Sequence, residues 1–257
     1  MTTPAGWITP EWPAPATVRA VCTTREGGVS SPPYDSLNLG DHVGDQADSV
    51  ATNRKIFSAA IRVRPVFLSQ VHGCEVARLD AGIQDGTEAD GCITTTPGIA
   101  CTIMVADCLP VLFTNVEGTV IGCAHGGWRG LAGTSGAGIL EAVCAALSRE
   151  SRAAPADLLA WLGPCIGPEE FEVGGEVKAA FEAADPQAGA LFRPHGRDKW
   201  LADLPGLARQ RLRALGLTRV YGNDGGRQWC TVANPSRFFS HRRDRVSGRC
   251  AGAIWLA

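Results

Sequence analysis

Several familiar signatures are missing from this chain of 257 residues, and each absence narrows its function. No C-x-x-C occurs among the ten cysteines, which removes zinc ribbons and thioredoxin-like motifs. No apolar run approaches the roughly 18 to 20 residues a membrane helix needs. The opening "MTTPAGWITPEWPAP" lacks the basic segment and apolar stretch of a secretory signal. Residues 1–17 read instead as an irregular, proline-rich lead-in. Formal net charge is −2, so no field of one sign draws the chain toward nucleic acid or anionic lipid. Neither G-x-x-x-x-G-K-[ST] nor G-x-G-x-x-G is present, so the standard nucleotide-phosphate loops are excluded. The expectation is a cytoplasmic protein acting on a small molecule, with no nucleic-acid or membrane partner. Its thiols should stay reduced, most of them as small buried hydrophobes.

A hydrophobic fraction of 45% and a charged fraction of 19% are those of a globular chain with a large core. Strand-like runs include "VRAVCTT", "PVFLSQV", "EVARL", "IACTIMVA", "PVLF", "TVIGCA" and "DLLAWLG". Helical spacing places Val50, Phe57 and Ile61 on one face of a helix over 48–61, with Asp48 able to cap it. A second helix carries Ile139, Val143 and Leu147, and "GEVKAAFEAA" is a third. "DLPGLARQRLRALG" opens on Asp203 as cap and Pro205, then closes on Gly216. Strands outnumber helices and come in clusters, and no long linker divides them. Residues 18–257 are therefore expected to form a single α+β domain with mixed β-sheets covered by helices.

Three stretches place a metal-competent side chain beside a chain-breaking residue. In "SQVHG" a strand is expected to run into His72 and stop at Gly73. In "VADCLPVLF" an apolar strand is interrupted by Asp107 and Cys108, ahead of Pro110. In "CAHGGWRG" a β-branched run ends at His125, followed by Gly126 and Gly127. Strand ends can converge on one rim of a sheet. Two imidazoles and one thiolate there make a zinc set with a position left open, which distinguishes catalytic from structural sites. The glycines would keep side chains away from that position. The same residues also allow a thiol dyad, with Cys108 as nucleophile and His125 as base. The two uses of Cys108 exclude one another. Near the C-terminus, "RFFSHRRD" concentrates guanidinium groups that suit phosphate or carboxylate, with Arg242 or Arg243 as the anion ligand. Arg129 and Arg25, each near glycine-rich turns, are further candidates. His42, His195 and His241 lack the strand-then-glycine setting and receive no role.

"TTREGGVSSPPYDSLNLG", "QVHG", "ADCLPVLF", "AHGGWRG", "WLGPCIGP", "FEVG" and "FFSHRRD", in that order, closely resemble the laccase-domain family. Its bacterial members are described as purine nucleoside phosphorylases, polyphenol oxidases or peptidoglycan editing factors. The resemblance runs from about Thr23 to Trp255 and implies a layered α/β/β/α sandwich with mixed β-sheets. It also implies a metal site on His72, Cys108 and His125, the trio that the strand-end pattern brings forward. Two departures stand out: Gly126 replaces the usual Ala, and His241 replaces the usual Tyr.

The activity implied is zinc-dependent phosphorolysis of adenosine, inosine and methylthioadenosine, with deamination of adenosine as a side activity. In that reading Arg129 and Arg242 neutralise phosphate, while Asp107 or Asn38 orients a hydrogen bond or the ribose. A second implied reading is hydrolysis of a muramyl peptide in cell-wall precursor editing, by zinc or by Cys108. A copper phenol oxidase is disfavoured, because five histidines and two methionines fall short of a multicopper ligand set, although a thiolate site can take copper.

Overall fold

The computed structural model describes residues 4–134 and 136–257. In chain order its elements are β1 (Val18–Cys22), α1 (Ala47–Ile61), β2 (Arg64–Phe67), β3 (Val76–Arg78), β4 (Gly91–Thr94), β5 (Ile99–Val105), β6 (Leu109–Asn115) and β7 (Ile121–Gly126). There follow α2 (Trp128–Ala132), α3 (Ile139–Ser151), β8 (Leu158–Leu162), β9 (Glu172–Gly174), α4 (Gly175–Ala184), β10 (Phe192–Pro194) and β11 (Lys199–Ala202). The chain closes with α5 (Leu204–Ala214), β12 (Arg219–Gly222), α6 (His241–Asp244) and β13 (Cys250–Leu256). Among the described residues no helix is long and apolar enough to cross a membrane.

A four-stranded sheet has the order β1-β13-β5-β2, antiparallel except where β2 runs parallel to β5. A six-stranded sheet has the order β12-β8-β6-β7-β4-β3, with parallel pairs at its two edges and antiparallel pairs between. These two sheets pack face to face through β5, β13, β6 and β7. The strand period of two sorts side chains between layers. Cys92 and Cys123 point into the core between the sheets, while Ile93 and Ala124 point out toward the helices. Helix α3 buries Ile139, Val143 and Leu147 on that outer side. On the four-stranded sheet, Phe57 of α1 meets Phe67 of β2 at a ring separation of 6.2 Å. The architecture is thus a helix–sheet–sheet–helix sandwich in one α+β domain. A small antiparallel sheet, β10-β11-β9, joins it on the α4 side. The lead-in is tied down by an Ile8–Cys22 bridge and by Trp7 against Phe57.

Helix α5 is built as its sequence predicts: Asp203 accepts from the Gly206 N–H at 2.9 Å, and Gly216 leaves the last turn at φ +86°. Helix α1 starts differently. Its first residue is Ala47, and Gln46 precedes it without a side-chain cap. Asp48 lies inside the first turn, where a carboxylate suits the helix dipole but cannot cap. All ten cysteines are free, and only Cys74 and Cys108 are less than fully buried.

The strand expected to carry His72 ends at Phe67 instead. Beyond it, the Gln70 side chain takes over the ladder to β5. Its amide donates to the Met104 carbonyl and accepts from the Met104 N–H, both at 2.8 Å. The backbone is thereby released into a loop before it reaches His72. The C-terminal strand β13 was not legible as a strand because "CAGAIWL" has no alternation. It is central in its sheet and buried throughout.

Candidate metal centre and cleft

Three loop or strand-end positions deliver the His72, Cys108 and His125 side chains to one end of the space between the sheets. Cys108 lies in the turn that carries the chain from β5 in one sheet to β6 in the other. His125 is the penultimate residue of β7, opposite Pro110 in β6. His72 lies in the loop after β2. His72 and Asp107 both adopt left-handed backbone, φ +62° and +87°, conformations costly for residues other than glycine.

The Asp90 carboxylate holds two of the three ligands in place. Its Oδ2 accepts from the N–H groups of Val71 at 3.1 Å and Gly73 at 2.7 Å. Its Oδ1 accepts from the His72 N–H at 2.9 Å and bonds the His125 Nδ1 at 2.8 Å. Three successive backbone donors wrapped on one carboxylate form an anion nest, and this is what turns the His72 segment into a loop. A buried carboxylate on Nδ1 assigns the proton there and leaves His125 Nε2 as the ligand atom. Asp90 is fully buried, and its position just before a short strand gave no sequence signal of this role.

The ligand atoms of His72, Cys108 and His125 lie within 4.8 Å of one another. Cys108 Sγ is 3.7 Å from His72 Nε2. Tetrahedral zinc at ordinary bond lengths sets S and N ligands about 3.5 Å apart, so this set fits such an ion. Gly127 leaves the room: a Cβ there would sit 2.7 Å from His72 Cδ2 and 3.2 Å from Cys108 Sγ. Gly126 does something else, since a Cβ there would meet the Leu109 carbonyl at 2.8 Å.

Electrostatics couple the thiol to the rings. Burial pushes the Cys108 thiol up, but His125 beside it, helped by His72, brings it down to about 6. Burial pushes His125 down, but the Cys108 charge and the Asp90 hydrogen bond raise it to about 9. Asp90 is penalised by burial yet held below the usual carboxylate range by His125 and the Gly73 and Val71 N–H groups. Without metal, the arrangement favours a thiolate beside an imidazolium.

The trio lies on the wall of a cleft of about 370 Å³. Its walls are cationic and aromatic. Arg129 and Arg242 both line it, with Arg129 stacked on Trp128 at 4.4 Å. The Arg242 guanidinium donates to the Glu172 carbonyl at 2.9 Å and lies 5.6 Å from the Phe171 ring. Asp107 also lines the cleft, but its carboxylate is engaged by the Thr231 hydroxyl and the Arg242 N–H, each at 2.6 Å. It therefore anchors the C-terminal loop across the β5–β6 turn.

Other candidates are placed elsewhere. Asn38 is fully buried and outside the cleft lining. It bonds Gly40, Asp45 and the Arg249 N–H, so it reaches the cleft only through the backbone of Arg249, a lining residue. Arg243 staples its own loop through the carbonyls of Thr231 and Phe238. Arg25 is tied to Asp35, the Pro235 carbonyl and the Phe239 ring. His42 and His241, given no role on sequence grounds, do line the cleft, as do Arg245 and Arg249. His42 comes from the loop ahead of α1, while His241 opens α6 beside Arg242, and neither shows the strand-then-glycine pattern that singles out the ligands.

Comparison with known proteins bears on the family and the fold. The sequence model of the family described as multi-copper polyphenol oxidoreductase laccase matches residues 19–257. The purine nucleoside phosphorylase YfiH of Escherichia coli K12 is 49% identical over 251 residues, covering 97% of this chain and 98% of that one. The purine nucleoside phosphorylase PA4543 of Pseudomonas aeruginosa is 49% identical over 252 residues, with the same coverage. Among solved structures, protein NMB0706 of Neisseria meningitidis superposes with a TM-score of 0.91 at 43% identity, covering 98% of this chain and 99% of that one. YlmD of Geobacillus stearothermophilus gives 0.89 at 29% identity, covering 100% and 98%.

Proposed function

The chain belongs to the multi-copper polyphenol oxidoreductase laccase family, and from that premise we propose that it is a zinc-dependent purine nucleoside phosphorylase acting on adenosine, inosine and methylthioadenosine. The observation that carries this reading is the juxtaposition of a His₂Cys ligand set with an arginine-lined cleft. The relatives named purine nucleoside phosphorylase span nearly the whole chain, which supports the same substrate class.

His72, Cys108 and His125 would hold the metal, which supplies Lewis acidity at the wall of the cleft. Arg129 and Arg242 place positive charge where inorganic phosphate enters; the planar guanidinium suits its oxygens. Trp128 and Phe171, which line the cleft, would supply the aromatic contact for the purine. A phosphate oxygen forms a bond to C1′ of the ribose as the bond from C1′ to the purine nitrogen breaks, and the proton given up by the hydrogen phosphate goes to that nitrogen as the base leaves. Asp90 keeps the His125 proton on Nδ1 throughout. The same cleft would support deamination of adenosine as a side activity.

The reading is tested by incubating purified protein with adenosine, with and without phosphate. Adenine and ribose 1-phosphate should appear together, only when phosphate is present and only with metal bound. Base release that ignores phosphate, or that survives Cys108→Ala after chelation, would overturn it.

One observation favours a second reading. The Cys108 thiol, lowered to about 6 beside His125, is a competent nucleophile when metal is absent. Amide hydrolysis of an anionic muramyl peptide would use it together with the same arginines. Cleavage of such a peptide by the metal-free protein, abolished by Cys108→Ala, would establish this instead. Copper is the other ion that a soft thiolate site accepts. Metal analysis of protein purified without added metal distinguishes it from zinc.

A further inference from the structure

A second cluster of soft ligands lies deeper in the molecule. Cys92 of β4 and Cys123 of β7 are directly paired across the ladder, with their sulfurs 3.4 Å apart. Cys101 of β5 faces them from the other sheet, and all three Sγ atoms lie within 4.8 Å of one another. All three are 0% exposed and belong to the apolar core between the sheets. They stand next to the metal centre in register. The rung Cys92–Cys123 is followed by Gly91–Ala124, and then by the His125 N–H donating to the Asp90 carbonyl at 2.7 Å. On one face of these two strands, the thiol pair is therefore the neighbour of the Asp90–His125 pair.

We propose that Cys92, Cys101 and Cys123 form a trithiol site for a trivalent thiophilic centre, arsenic(III) or its chemical equivalents. Three sulfurs within 4.8 Å of one another, brought together from two sheets, supply the three ligands such a centre takes in a dry core. Charge selects the occupant. Zinc or copper(I) on three thiolates would leave net negative charge in an apolar interior, which is strongly disfavoured without a partner. Arsenic(III) leaves none. Arsenous acid and three thiols give the neutral trithiolate and three waters. Three As–O and three S–H bonds break while three As–S and three O–H bonds form, with no change of oxidation state. Because the sulfurs are sealed from solvent, entry follows local opening between the sheets and is slow. Once formed, the centre ties β4 and β7 to β5 immediately beneath the His72–Cys108–His125 trio.

The experiment uses the full-length protein carrying Cys108→Ser, so that the cleft thiol does not compete. It is incubated with sodium arsenite and passed through gel filtration. One arsenic should be retained per chain, with three sulfur neighbours by X-ray absorption. Adding Cys101→Ala removes one intramolecular ligand and should weaken retention about 100-fold. Should that variant fail to fold, Cys92→Ala carries the same expectation, and the absorption spectrum of the parent chain decides by itself. Absence of retained arsenic overturns the proposal. So does a centre with only two sulfur neighbours, which would place it at another pair such as Cys165 and Cys230, bridged across neighbouring loops. Retention unchanged by Cys101→Ala overturns it as well.

Discussion

Replacing Asp90 with asparagine is the sharpest perturbation of the candidate metal centre, because it preserves shape and removes acceptors. The carboxylate takes four donors on two oxygens: His72 N–H and His125 Nδ1 on one, Val71 and Gly73 N–H on the other. Asparagine has a single acceptor oxygen, so two of the four donors would face its NH₂ group. A buried donor left without an acceptor costs about 1–3 kcal/mol, and two of them about 2–6 kcal/mol. For a domain of this size that corresponds to a melting temperature lower by roughly 10 °C. The loss also falls on the metal, since His72 loses its loop anchor or His125 its orienting partner. Removing an outer partner of this kind typically weakens metal binding by about 10–100-fold. Thermal unfolding of the metal-free protein and a competition titration with a chromophoric zinc chelator measure the two effects separately. If Asp90→Asn binds zinc as tightly as the parent and melts at the same temperature, the role assigned to Asp90 is wrong.

Gly127→Ala should lose metal without comparable loss of fold, because the new Cβ would press on His72 Cδ2 at 2.7 Å and on Cys108 Sγ at 3.2 Å; metal content per chain after dialysis checks it. In the metal-free protein, Cys108 should react with iodoacetamide at pH 7, with a rate that rises through a midpoint near 6, because its lowered pKa puts the thiolate above that value. Bound zinc should suppress the reaction, and a midpoint near that of a free thiol would contradict the pairing with His125. Asn38→Ala should destabilise the fold by about 2–4 kcal/mol, through stranded partners at Gly40 and Arg249, yet leave zinc affinity unchanged. Urea unfolding and the same chelator competition read both. A large change in zinc affinity would give Asn38 a closer role than its position implies. In the metal-free protein, Asp90 also contributes an acid dependence. Its folded pKa lies below the unfolded value, so its stabilisation is present above about pH 4 and is lost as pH falls further. The acid limb of unfolding should flatten in Asp90→Asn.

The residue types of the candidate metal centre and the main helices were legible in the linear chain. The periodicity at Val50–Ile61 and Ile139–Leu147, the Asp203 cap and the residue types at His72, Cys108 and His125 are local facts, and local facts survive in one dimension. What only the folded molecule decided is non-local. Whether Asp90 meets both a loop and an imidazole depends on β4 pairing with β7, and the convergence of Cys108 with His72 depends on the turn that crosses between sheets. The same holds for the cleft histidines, for Asn38 falling behind Arg249, and for three cysteines meeting across a sheet interface. Strand pairing is set by register and sheet order, and these arise from the packing of distant segments rather than from the pattern within any one of them.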